Sequence, residues 1–176
     1  LNQLSQYVGG QFVKKRNKIK QFLKIFPNMK VEVINIKNED IKKKILELDE
    51  LWLNNKTQKN SNFKIKNEFL ATDKFFQSKL SFDDIFGVGI FFDNNMIGYS
   101  ICSILKNNYA VSHFTKADTK FNGIYDFLLK EIAKILVKKQ CYSLNYEQDL
   151  GLPGLRMSKK SFMSKYLKKF TVGFTH

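Results

Sequence analysis

The feature that most constrains the fold lies between residues 86 and 117, where three strand-length apolar runs follow one another almost without interruption. They are FGVGIFF (86–92), MIGYSICSIL (96–105) and YAVSHFTKA (109–117). Asp93-Asn94-Asn95 and Lys106-Asn107-Asn108 separate them, and Asn accepts positive φ more readily than most residues, so both links read as tight turns. Such short links force neighbouring strands to run antiparallel, which predicts a three-stranded meander.

The rest of the chain arranges itself around that meander. Residues 11–25 place Phe12, Ile19, Phe22, Leu23 and Phe26 at helical spacing, and Pro27 ends the helix. VEVINI (31–36) alternates as a strand. Glu39 and Asp40 then open a helix through IKKKILELDELWL, acids in its first turn as the helix dipole prefers. NNKTQKNSN (54–62) reads as a loop and 63–80 as the next helix. After the meander, 122–139 forms a long helix with Ile124, Phe127, Leu128, Ile132, Ile135 and Leu136 on one face. CYSLNY (141–146) reads as a strand, LRMSKKSF as a short helix and KKFTVGF as a terminal strand.

At 176 residues one domain with one core is expected. No apolar run reaches the roughly 18 residues of a membrane span, and no signal-peptide pattern opens the chain. Cys102 and Cys141 sit in apolar runs, which predicts buried, unlinked thiols and a cytoplasmic setting, with peripheral contact at the inner membrane face left open. The net charge of +14 is polarised: residues 1–31 hold seven Lys/Arg and 150–176 hold six, neither with an acid. Gathered in space, the two ends would form a face that attracts polyanions; the alternative is a solvated, solubilising surface.

Four stretches resemble the C-terminal domain family of the phosphatidylglycerol lysyltransferases. They are GGQFVKKRNKIKQF (9–22), VSHFTKAD (111–118) followed by Gly123, LNYEQDLGLPGLRMSKKSF (144–162), and the helix carrying Glu68 ahead of the meander. The resemblance implies a GNAT-like α+β fold, a mixed central sheet with an antiparallel meander and flanking helices, that transfers an acyl or aminoacyl group. It also implies a similar domain in front: with Leu rather than Met at position 1, the chain reads as the rear half of a longer protein.

Several residues then become candidates. GNAT enzymes that use acetyl-CoA cradle its pyrophosphate with a glycine-rich turn at the start of the long helix. Here DTKFNGIYDF offers Gly123 alone, with Asn122 before it and Tyr125 where a second small residue belongs. That departure counts against tight acetyl-CoA binding and leaves acyl-CoA or aminoacyl-tRNA as the candidate donors. Strand alternation puts His113 with Val111 and Thr115, opposite Ser112 and Phe114; it reads as a proton relay or as a hydrogen-bonded structural histidine. Lys116, in the same motif, is a candidate for binding substrate. With only His176 besides, no paired-histidine metal site exists.

The loop after 141–146 is the best candidate active-site element, with Asn145, Glu147, Asp149, Gly151, Gly154, Arg156 and Lys159. Glu147 or Asp149 could take a proton from an attacking amine or hydroxyl, while Arg156 and Lys159 hold a phosphate or carboxylate. The competing reading is an ion pair that pins the loop, Asp149 with Arg156 for instance. Lys14, Lys15, Arg16, Asn17 and Lys18 form a basic helix face suited to tRNA or anionic phospholipid. Two functions follow: an acyl- or aminoacyltransferase, or a non-catalytic module that docks RNA or anionic lipid headgroups.

Overall fold

The computed structural model describes residues 1–57, 63–78, 84–149, 151–162 and 164–165, without the side chains of 57 and 63–66. Five strands form one sheet in the order β1-β2-β3-β4-β5. They are β1 Lys30–Ile34, β2 Ile85–Phe92, β3 Asn95–Leu105, β4 Tyr109–Ala117 and β5 Ser143–Asn145. The first three pairings are antiparallel and β4–β5 is parallel. The meander is therefore as expected, and the turn residues Asp93, Asn94, Asn107 and Asn108 all have positive φ.

Helices cover both faces. On one side lie α1 (Asn2–Gln6), α2 (Val13–Ile25) and α5 (Ile124–Lys138), over a core of Val88, Ile90, Ile97, Phe127, Leu128, Ile132 and Leu136. Leu128, Ile132 and Leu136 are fully buried, which places the apolar stripe of α5 flat on the sheet. On the other side α3 (Glu39–Thr57) and α4 (Phe63–Gln77) enclose Ile34, Ile45, Leu48, Tyr99 and Ile101. A short helix, α6 (Pro153–Lys160), follows β5.

Some expected boundaries move. The strand predicted over 31–36 ends at Ile34, because Asn35 and Asn38 turn their side-chain oxygens to the backbone N–H groups of Lys37, Asp40 and Ile41. Helix α3 runs on to Thr57, through the first four residues of the expected 54–62 loop. The predicted terminal strand KKFTVGF lies outside the described residues. Cys102 and Cys141 are free and buried.

Candidate functional site

The site begins with a one-residue irregularity in β4. Ile101 on β3 opposes Phe114 and Cys102 opposes Ser112, so His113 is an extra residue without a partner in β3. The bulge corrects the expected alternation. Thr115 joins Ser112 (Oγ1 to Oγ 2.8 Å), both near Ser100, while Phe114 and Lys116 turn to the α3/α4 side. Beyond the bulge β4 and β5 part: their pairing stops at Val111–Asn145 although β4 continues to Ala117. A wedge-shaped opening results, flanked by residues 112–117 and by the loop from Tyr146 to Asp149.

On the α3/α4 side the opening borders a buried polar network. Lys116 Nζ lies 3.0 Å from Asp49 Oδ2, 3.3 Å from Thr72 Oγ1 and 5.1 Å from the Trp52 ring centre. Tyr99 donates to Asp49 Oδ1 at 2.6 Å. Lys116 is 3% exposed, so the ammonium expected at the substrate is instead engaged within the protein. Glu68, on α4, neighbours this network. Burial pushes its carboxyl above the usual glutamate range, against the pull of Lys116, Lys56 and Lys159, and Asp49 adds to the rise.

Across the opening, the β5–α6 loop is pinned from within. Asp149 receives the Gly151 N–H on Oδ1 (3.0 Å) and Arg156 Nε on Oδ2 (2.6 Å), which engages both oxygens. Asp149 therefore fixes the loop. Asn145 accepts the Glu147 N–H at 2.9 Å, holding Glu147 at a φ of +52°. Lys159 donates to the carbonyls of Tyr146 and Gln148. Desolvation pushes its ammonium below the usual lysine range, while Glu147, Asp149 and Glu68 pull it back. Gly151, with φ +73°, and Gly154 have open space around them. At the root of the opening His113 joins two strands and the loop: Nε2 is 2.8 Å from Ser103 Oγ and Nδ1 is 3.5 Å from Glu147 Oε1.

The N-terminus of α5 is covered rather than open. Gly123 adopts a φ of +103°, and a Cβ there would meet Phe22 Cβ at 3.2 Å and Lys18 O at 3.3 Å. Helix α2 thus packs directly against Gly123, and the turn holds no second glycine of the kind that cradles a pyrophosphate. Asp126, in the first turn of α5, takes Lys15 (2.7 Å) and Lys18 (3.3 Å). Arg16 donates to the carbonyls of Tyr7 and Gly9, holding the end of α1. Of the expected basic face, Lys14, Arg16, Asn17 and Lys18 are exposed and Lys15 is half-buried, and Lys15, Arg16 and Lys18 also make the contacts just described. Lys15 Nζ also lies 3.6 Å above the Phe162 ring, so α2 and the chain beyond α6 meet on one side.

The site also gathers Asp49, Trp52, Glu68, Tyr125 and Tyr146, none of which is a candidate from the sequence. Glu68 and Tyr146 lie in family-like stretches and Tyr125 in the turn that opens α5; Asp49 and Trp52 have no such signal, because only folding brings α3 against the end of β4. Among the described residues no cluster could hold a metal ion, and no helix is long and apolar enough to cross a membrane.

Comparison with known proteins agrees with this fold. The family model for the C-terminal domain of phosphatidylglycerol lysyltransferase matches residues 1–173. No curated protein matches the chain in sequence. A conserved protein of unknown function from Bacteroides thetaiotaomicron superposes with a TM-score of 0.73 at 24% identity, over 92% of this chain and 52% of its own. The C-terminal domain of a protein assigned as a lysylphosphatidylglycerol synthetase from Agrobacterium fabrum gives 0.61 at 15% identity, over 89% and 52%. A ribosomal-protein-alanine N-acetyltransferase from Brucella melitensis gives 0.56 at 12% identity, over 84% and 99%. The chain thus spans about half the length of the first two structures and nearly all of a GNAT acetyltransferase.

Proposed function

Because this chain belongs to the phosphatidylglycerol lysyltransferase C-terminal family and has the GNAT fold, we propose that it transfers an activated acyl group to an amine or hydroxyl at the β4–β5 opening. The observation that carries this reading is the convergence of Glu68, Lys159 and the His113–Glu147 pair around backbone groups that β4 no longer shares with β5. Glu68 takes the proton from the attacking nitrogen or oxygen as the new bond to the acyl carbon forms. A backbone N–H of β4 steadies the oxyanion, and the proton returns to the leaving oxygen as the donor bond breaks. His113 and Glu147 supply a second place for that proton, and Asp149, Arg156 and Lys159 hold the loop in position.

An aminoacyl ester of tRNA is the donor this site favours over acyl-CoA, since the turn before α5 offers Gly123 alone and α2 packs against it. A second reading, a non-catalytic module docking RNA or anionic lipid, draws on the meeting of α2 and Phe162. Incubating the protein with labelled aminoacyl-tRNA, acyl-CoA and candidate acceptors separates the two. The transferase consumes a donor and loses that turnover in Glu68→Gln. Retained turnover in Glu68→Gln would remove the base, and donor binding with no turnover in any pairing would leave the module.

A further inference from the structure

Asp118 N donates to Ile97 O at 2.8 Å, which makes residues 97 and 118 a hydrogen-bonded pair. In an antiparallel ladder such pairs alternate, so Ala117, opposite Gly98, directs its N–H and C=O away from β3 and into the opening. Both groups are taken by one side chain. The Ala117 N–H donates to the Tyr125 hydroxyl at 3.2 Å, and that hydroxyl donates to the Ala117 carbonyl at 3.4 Å. A phenol from the first turn of α5 thus pairs with β4 as a piece of strand would. Burial raises the phenol above the usual tyrosine range and keeps it a donor.

An extended ligand inserted beside an unpaired strand binds by replacing the missing strand, and the pantetheine arm of a CoA donor, with its two amides, has that character. We propose that Tyr125 decides which acyl donors enter the opening, by holding the backbone position on β4 that an amide-bearing donor arm would take. Such an arm must displace the phenol and break both hydrogen bonds. An ester donor carries no amide arm; it presents its carbonyl to Thr115, whose backbone faces the same way two residues upstream, and Tyr125 stays in place. This role rests on the acyl-transfer reading above; the pairing of Tyr125 with Ala117 does not.

Tyr125→Phe keeps the ring and removes the hydroxyl. Two measurements on the full chain test the role. Amide exchange at Ala117 should quicken by about tenfold in the variant, as expected when one hydrogen bond is removed, while Asp118, bonded to Ile97, exchanges as before. Pantetheine alone, titrated by NMR, should bind Tyr125→Phe about tenfold more tightly than wild type. Unchanged exchange at Ala117 overturns the pairing. Pantetheine binding equally to both proteins, or to neither, overturns the role in donor choice. Absence of turnover with every donor, these results holding, would count against the acyl-transfer reading alone.

Discussion

Lys116 and Asp49 are 67 residues apart in the chain, yet Nζ and Oδ2 meet at 3.0 Å with both side chains almost wholly buried. The contact ties α3 to the end of β4 beside the opening, and Tyr99 and Thr72 complete the bonding of the pair. Two charges in such a place are a poor source of stability, but neither tolerates the loss of the other. The pair therefore specifies the geometry around Glu68 more than it strengthens the fold.

Lys116→Met should destabilise the fold by about 3–5 kcal/mol, because it strands the Asp49 carboxylate in the interior. Adding Asp49→Leu should recover most of that loss. Urea unfolding of the two single variants and the double variant measures this, and a cost below about 1 kcal/mol for Lys116→Met would show the pair to be hydrated.

Glu68 predicts a pH signature. Since burial raises its carboxyl, the folded state holds the proton more tightly than the unfolded chain. The stability this contributes is complete at low pH and is lost as pH rises through the folded value. Wild type should therefore lose stability relative to Glu68→Gln across that interval. If Glu68 is the base, the acidic limb of the rate profile lies above the ordinary glutamate range and turnover in Glu68→Gln drops by roughly 10²–10⁴. An acidic limb that survives in Glu68→Gln would assign it to another group.

Cys102 is fully buried, and burial pushes its thiol up to about 11. Cys141 is buried as well. At pH 7 neither should react with a bulky maleimide within minutes in the native state, and both should react once the chain is unfolded. Mass spectrometry of the labelled protein reads the outcome directly; a rapidly modified Cys102 would mean that the sheet opens at β3.

Arg156 and Asp149 should act as one unit. Either Arg156→Ala or Asp149→Asn releases the β5–α6 loop, so the double variant should lose little more than the worse single one. With Arg156 half exposed, the coupling in a double-mutant cycle should be about 1 kcal/mol. Additive losses would mean that each residue meets the substrate separately.

The basic surface is narrower than the charge count suggests, since Asp126 engages Lys15 and Lys18 and offsets one of their two charges. Lys14→Glu should weaken tRNA binding and flatten its logarithmic salt dependence by roughly 1 if a phosphate is left without its cation. Lys15→Glu should instead damage the packing of α2 on α5, visible as a lower melting temperature. Equal tRNA affinity and salt slope in wild type and Lys14→Glu would return the surface charge to a role in solubility.

By itself the sequence determined most of the elements and their order, though not α1, and the expected strand KKFTVGF lies outside the described residues. Alternating runs and Asn turns between 86 and 117 define the meander, and the 3.6-residue stripe from Ile124 to Leu136 defines the helix that covers it. These signals are local, carried by residues within one or two turns of each other. The resemblance of four stretches pointed to the fold family in the same way. What the tertiary structure alone decided is which side chains meet. A single unpaired residue at His113 moves Thr115 to one face and Phe114 to the other, and nothing in a polar–apolar pattern marks where a strand will slip by one. Asp126 captures Lys15 from 111 residues away, Asp49 captures Lys116 from 67, and the Tyr125 hydroxyl sits on Ala117 because α5 folds back across the end of β4. Burial, and with it the raised carboxyl of Glu68, depends on how helices and sheet close over one another. Chemistry at the opening is set by those long-range contacts, which cost chain entropy to form and leave no periodic trace in the sequence.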